Sequence, residues 1–341
     1  MTGSPTTPLS GTALVTGAAG FIGSHLVRAL QQSPDLTVVA LDDLSGGYRS
    51  NLPEGVRFVQ GSVTDSSLVA AVFDEWRFDY VYHLAAYAAE GLSHFIRRFN
   101  YENNVVGSIN LINEAIRHES SCFVFTSSIA VYGSAQVPMR EDQAPRPEDP
   151  YGIAKYAVEL DLVAAMEMFG LNHVIFRPHN VYGEFQNIGD KYRNVVGIFM
   201  NQILRDEPLS VFGDGTQQRA FSYVGDIVDP IAKAPVTPGA LNRVFNLGAE
   251  IPYTVNQLAR AVAEVMGVPQ HPVRHLEARN EVTVAYSDHS AAHAVFGPSA
   301  NTPLDEGLRR MARWVRDVGA RESPRFGSIE VSRNLPRAWV E

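Results

Sequence analysis

The sequence is short of cysteine, of positive charge and of long apolar runs, and each shortage removes a class of answer. A single cysteine, Cys122, has no partner for an intrachain disulfide, which fits a reducing cytoplasm. A formal net charge of −9 argues against a nucleic-acid partner, which calls for a basic face. It still admits a small anionic ligand, for which a few local arginines suffice. No apolar run approaches the ~20 residues of a membrane span, so no membrane partner is expected. Residues 1–11, MTGSPTTPLSG, have neither the basic start nor the apolar stretch of a secretory leader, and a cytoplasmic location is the expectation. There is no internal repeat or low-complexity tract, and no metal site is expected.

What is present describes an ordered globular chain. Its 341 residues, 45% hydrophobic and 19% charged, suffice for one large or two modest domains without metal or disulfide staples. In the first half, short β-branched runs alternate with helical stretches. Candidate strands are 12–16, 36–41, 56–60, 79–84, 121–126 and 172–177, with helices near 21–32, 66–75, 99–117 and 151–168. Near-continuous apolar strands alternating with helices predict an α/β fold, a doubly wound parallel sheet. After Pro178 loops lengthen and the pattern turns irregular, until two amphipathic helices at 254–267 and 304–319. Residues 1–178 are therefore expected to form the sheet domain. Residues 179–341 are expected to be mainly a smaller α/β C-terminal lobe, interleaved with pieces that return to the sheet near 220–250.

The stretch TGAAGFIG (16–23) spaces Gly17, Gly20 and Gly23 between a strand and a helix. The first allows a tight turn, the second removes a Cβ that would block a pyrophosphate, and the third lets helix and strand pack closely. Nineteen residues past Gly23, Asp42 ends the second strand in ALDDLSGG. An acid there hydrogen-bonds the adenosine ribose and repels a 2′-phosphate, so NAD is expected over NADP. The first domain is thus expected to be a Rossmann domain that binds NAD.

With these features the sequence resembles the extended short-chain dehydrogenase/reductase family, in its nucleotide-sugar epimerase and dehydratase group. The markers stand in order over roughly residues 12–318: TGAAGFIG, LDDLSGG (41–47), HLAA (83–86), NNVVGS (103–108), FTSSIAVYG (125–133), PYGIAKYAVE (150–159), FRPHNVYG (176–183) and FGDGTQQRAFSYVGDIV (212–228). The resemblance implies a cofactor site built from Gly17, Gly20, Phe21, Ile22, Gly23, Asp42, Asp43, Ser62, Val63, Leu84, Ala85, Ala86, Asn104, Tyr151, Lys155 and His179. Ser62 replaces the acid that usually meets the adenine, so that contact is expected to be weak or absent.

The catalytic set the resemblance implies is Ser128, Tyr151 and Lys155. Tyr151 and Lys155 lie one helical turn apart, on one face. A free phenol titrates near ~10, and a nearby ammonium together with a positive nicotinamide ring would bring it into range as a base. Ser128 would bond the sugar O4 and share the proton with Tyr151. Members of the group part ways after oxidation at C4. The 4,6-dehydratases carry an Asp-Glu pair directly after the motif's hydroxyl and the decarboxylases a glutamate there, but here the positions are Ile129 and Ala130. That leaves epimerisation through a transient 4-keto sugar, with a dehydratase or decarboxylase and a non-catalytic NAD-binding protein as alternatives. Thiol chemistry at Cys122 is not expected, since it lies in an apolar strand.

For the substrate, the resemblance implies contacts from Thr126, Ser127, Ser128, Asn180, Asn194, Val195, Phe212, Arg219 and Arg279, with Arg279 one position off the family pattern. Glu90 and His94 are expected to face water at the sugar edge, and Arg97 and Arg98 to open a helix of a dimer interface. The segment after the V-Y-G motif, YGEFQN (182–187), lacks the arginine of glucuronate 4-epimerases. A UDP-glucose/UDP-galactose pair is therefore ahead of UDP-glucuronate/UDP-galacturonate. A homodimer is expected from helices 99–117 and 151–168.

Overall fold

Burial on both sides is written into the strands. In β1 (Gly11–Thr16) Ala13 and Val15 join one apolar cluster and Leu14 the other. The same alternation recurs between Val124 and Phe123 in the Cys122–Thr126 strand, and between Phe176 and Ile175 in the His173–Pro178 strand. Strands without a polar face need helices on both sides of the sheet. The computed structural model, which describes residues 8–134, 137–278, 282–323, 326–327, 329–336 and 339, has that arrangement.

The central sheet has seven parallel strands. With β2 (Leu36–Asp42), β3 (Arg57–Gln60), β4 (Tyr80–His83), β5 (Cys122–Thr126) and β6 (His173–Pro178), the order is Arg243–Leu247, β6, β5, β4, β1, β2, β3. The six expected strands are present within a residue or two at each end. Arg243–Leu247 is the edge strand, and it pairs with β6. On one face pack α1 (Phe21–Leu30) and helix Val224–Lys233. On the other pack Ser66–Trp76, Gly107–Arg117 and Pro150–Phe169. The first apolar cluster runs on without a break beyond the sheet, through Phe199, Val211, Leu258 and Leu308. Among the described residues no helix is long and apolar enough to cross a membrane.

Two local features position the site. The order in which strands are laid down reverses between β1 and β4, parallel neighbours from which β2 and β3 extend one way and β5 and β6 the other, and a crevice opens beyond the carboxyl ends of strands at such a switch. The helix Pro150–Phe169 starts where it does because Asp149 accepts from Gly152 N at 2.9 Å and Pro150 occupies its first position; Gly170, at φ +77, ends it. Tyr151 is thereby held in the first helical turn. The helix expected at 99–117 begins at Arg97 and contains a π-turn, Glu102–Val106.

Candidate active site

A cleft of about 1820 Å³ lies beyond the strand ends. At one end stands the glycine turn. Gly17 has φ +66, and a Cβ there would lie 2.7 Å from the Ala85 amide nitrogen, so only glycine suits both the turn and the contact. A Cβ on Gly23 would strike the Gly17 carbonyl oxygen. The N-terminus of α1, at Gly20, receives no side-chain cap, which leaves its first amides for a ligand. Asp42 accepts from Ala19 N at 2.9 Å and from Leu44 N at 2.7 Å, tying the end of β2 to the turn. Burial raises its pKa, and these backbone donors oppose the rise. Phe21, Ile22, Asp43, Ser62, Val63, Leu84, Ala85 and Ala86 also line the cleft. Ser62 is engaged with Thr64, at 2.8 Å.

Two expected cofactor contacts are placed otherwise. Asn104 does not line the cleft. It is buried in the π-turn, where its amide bonds Tyr87 N, Tyr87 O and Asn100 Oδ1 at 2.8, 3.2 and 2.8 Å. Its task is to hold the loop that carries Tyr87. His179 lines the cleft but turns its ring away to Ala220 O and His289 Nε2, both at 3.0 Å. Burial, with His289 alongside, pushes its pKa down to about 3, so the ring is neutral.

The proposed catalytic groups converge. Lys155 is 3% exposed, and its Nζ donates to Thr126 O at 2.8 Å and lies 5.9 Å from the Tyr151 ring centroid. Burial pulls its pKa down to about 7, against the opposing pull of Glu159. Burial drives the Tyr151 phenol upward, and Glu90 and Asp149 add to this. A hydrogen bond with the Ser128 side chain and the charge of Arg193 oppose it. The sequence expectation called on the Lys155 ammonium together with a positive nicotinamide ring; in the protein without cofactor, burial is the largest influence on the phenol and raises its pKa. The Ser128 hydroxyl also accepts from Ala130 N at 3.1 Å.

Ser127 is less available than expected. Its hydroxyl donates to Glu159 at 2.5 Å, and Glu159 forms a buried ion pair with Arg177, which in turn reaches Tyr132 OH at 2.7 Å. The Thr126 hydroxyl has the opposite character. Among the described residues Thr126 Oγ1 and both amide atoms of Gln186 are buried at the cleft wall with no hydrogen-bond partner. Unpaired polar groups cost about 1–3 kcal/mol each, so these three atoms suit a polar ligand. Gln186 went unnoticed in the sequence although it stands in YGEFQN.

Asn180, Asn194, Val195, Phe212 and Arg219 line the remainder of the cleft. Asn180 and Asn194 have φ of +42 and +59, and Asn194 leaves the helix Val195–Leu204 without a side-chain cap. Arg219 donates to the carbonyls of Val282 and Thr283, at 2.5 and 3.3 Å. Arg279 lies outside the described residues. Glu90 and His94 line the cleft, and Glu90 acts on the phenol, so the expectation that it merely faces water is too weak. Sequence reasoning also missed Arg193, one residue before Asn194. Its guanidinium lies 4.9 Å from the Tyr87 ring centroid and pairs with Asp190 at 2.6 Å. Cys122 is buried, and burial raises its thiol pKa to about 12.

The glycine turn, the open amides of α1 and the acid at the end of β2 fit a dinucleotide. A model of the NAD dependent epimerase/dehydratase family matches residues 13–248. The UDP-glucose 4-epimerase of Mycolicibacterium smegmatis is 32% identical over 311 residues, covering 89% of this chain and 98% of that protein. The mouse dTDP-D-glucose 4,6-dehydratase is 28% identical over 320 residues, covering 89% and 88%. In structure, UDP-glucose 4-epimerase of Thermotoga maritima, solved with UDP-glucose, superposes with TM-score 0.85 at 34% identity, covering 90% of this chain and 99% of that one. Fold, glycine turn and relatives agree: the chain belongs to the NAD-dependent epimerase/dehydratase family, with NAD as its cofactor.

Proposed function

We propose that the protein is a UDP-sugar 4-epimerase, acting on the UDP-glucose/UDP-galactose pair, with UDP-glucuronate/UDP-galacturonate as the second candidate. The observation that carries this is the identity of the two residues after Ser128. Ile129 and Ala130 line the cleft, and Ile129 packs with Val131, Tyr132 and Met139. Neither side chain can move a proton, so the extra acid or base of an elimination is missing from the position where the dehydratase relatives, by the family pattern, keep it. A 4-epimerase needs none, because substrate and product differ only in configuration at C4.

In this reading the glycine turn at Gly17, Gly20 and Gly23 with Asp42 would hold NAD, which would supply a reversible hydride acceptor for sugar C4. Tyr151 accepts the O4 proton, with Ser128 between phenol and sugar, and gives it back after the ring has turned. Burial holds the resting phenol neutral, so its proton-accepting form depends on positive charge brought beside it; Lys155 and the oxidised cofactor are the sources. Lys155 also holds Thr126 O, which keeps the end of β5 in register with the helix. Asn180, Asn194, Val195, Phe212 and Arg219 are assigned to the nucleotide and diphosphate, and Gln186 and Thr126 to polar groups of the substrate.

Arg193 bears on the choice of sugar. It supplies a cation in the cleft that residues 182–187 lack, but its charge is balanced by Asp190 at 2.6 Å. A carboxylate at C6 would compete with that pair, which keeps the neutral hexose ahead. The exposed apolar side chains Ile153, Leu160 and Val163 on helix Pro150–Phe169, with Val106 beside them, support a homodimer through this face. The single buried cysteine supports a reducing, cytoplasmic setting. The test is proton NMR of UDP-glucose and UDP-glucuronate incubated with the purified protein. Epimeric UDP-sugars are expected; a 4-keto-6-deoxy sugar or a pentose would falsify the assignment.

A further inference from the structure

The sequence resemblance runs to about residue 318, yet the chain beyond it returns to the cleft. Glu330 N and Val331 N donate to Phe95 O at 2.8 and 3.2 Å. The Glu330 carboxylate accepts from Arg98 N at 2.7 Å and Phe99 N at 2.9 Å, capping the helix Arg97–Tyr101, which has no side-chain cap at its own Ile96. Trp339 is 7% exposed and stands edge-on to Phe95 and Tyr192, with ring centroids 6.1 and 5.5 Å apart. A Cβ on Gly91 would lie 3.2 Å from the Trp339 ring, so the indole rests directly on the turn Glu90–Ser93.

That turn touches the proposed base. Ser93 Oγ accepts from Tyr151 N at 3.3 Å and donates to Glu90 O at 2.6 Å. The C-terminal segment therefore reaches the catalytic helix through one intermediate. It also faces the cleft itself, with Val331, Arg333, Asn334, Leu335 and Pro336 in the wall. Val331, Leu335 and Pro336 give that wall an apolar part beside the polar Arg333 and Asn334. An apolar wall discriminates by volume, since it offers few hydrogen bonds to a substrate and rejects what does not fit.

We propose that residues 329–336 with Trp339 form the sugar-side wall of the active site, holding the Glu90–Ser93 turn against Tyr151 and excluding hexoses with a bulky acyl substituent. The proposal rests on the reading of the cleft as a UDP-sugar site, and its test separates the two. Full-length Trp339→Ala and Leu335→Ala are compared with the parent by steady-state kinetics on UDP-glucose and UDP-N-acetylglucosamine, by NAD content, and by amide hydrogen exchange over residues 90–99.

Both variants are expected to retain NAD. Trp339→Ala should raise KM for UDP-glucose about tenfold and speed exchange over 90–99, with Trp339→Phe restoring both. Leu335→Ala should move the kcat/KM ratio about tenfold toward the N-acetylated sugar. An unchanged ratio in Leu335→Ala, or unchanged exchange over 90–99 in Trp339→Ala, overturns the proposal. If Trp339→Ala does not fold, the half-buried Leu335 still decides the matter of sugar size. If the parent turns over no UDP-sugar, the functional reading falls, while hydrogen exchange of the NAD-bound protein still shows whether the segment holds the turn.

Discussion

Replacing Lys155 by methionine exchanges a buried ammonium for an apolar chain of similar length, and the structure sets the sign and size of the result. Lys155 is 3% exposed, and burial displaces its pKa from 10.5 to about 7. At 1.36 kcal/mol per unit, that displacement corresponds to a cost of about 4–5 kcal/mol in the folded state. A lysine whose pKa falls on folding binds fewer protons folded than unfolded. Its cost is therefore full below pH 7, fades as pH rises, and is gone above 10.5. Against this stand the bond to Thr126 O at 2.8 Å and the contact with the Phe125 ring at 4.7 Å, together about 1–3 kcal/mol. Lys155→Met is thus expected to be more stable than the parent by about 2–3 kcal/mol at neutral pH. The gain should shrink by about 1.4 kcal/mol per pH unit above neutrality and vanish before 10.5. Urea unfolding of both proteins, freed of NAD, from about pH 6 to about pH 10 measures the difference directly, and other titrating groups cancel in the comparison. A variant less stable than the parent at neutral pH, or a difference that does not change with pH, would refute the reasoning. The same variant should lose turnover, a site kept at the expense of stability.

Tyr151→Phe removes the phenol oxygen but keeps the ring; it should fold, retain NAD and lose about 10²–10⁴-fold in turnover of UDP-sugars, followed by NMR. Glu159→Gln leaves the Arg177 guanidinium buried beside a neutral amide, and thermal unfolding should show a loss of about 3 kcal/mol, far more than a surface carboxylate would cost. Asp42→Ala withdraws the acceptor for Ala19 N and Leu44 N, and calorimetric titration should find NAD binding weakened at least about tenfold while NADP binding falls less.

Strand and helix order came through in the sequence because each element carries its own pattern. Continuous apolar strands mark burial on two faces, and Gly17, Gly20, Gly23 and Asp42 are close enough in sequence for their spacing to express a turn, a helix start and a strand end. Tyr151 and Lys155 were picked out by resemblance to the family's motif, and their spacing of one helical turn added only that they share a face. For the pieces expected to return near 220–250 only the rough location was legible; that Arg243–Leu247 takes the place beside β6 comes from a pairing across about 70 residues.

The chemistry of the site was less legible than its membership. That Asn104 braces Tyr87, that Ser127 is engaged by Glu159, and that Thr126 and Gln186 keep unpaired polar atoms are consequences of which groups meet in the folded interior. The direction of the Tyr151 and Lys155 shifts belongs there too, because desolvation depends on every neighbour that excludes water and not on the spacing of two residues. Local periodicity and turn chemistry act between near neighbours along the chain, so the sequence by itself determined the elements, the glycine turn and the shared face of Tyr151 and Lys155. Burial, charge balance at Arg193 and the approach of Trp339 to Gly91 join residues far apart in the chain, and only the tertiary structure decided them.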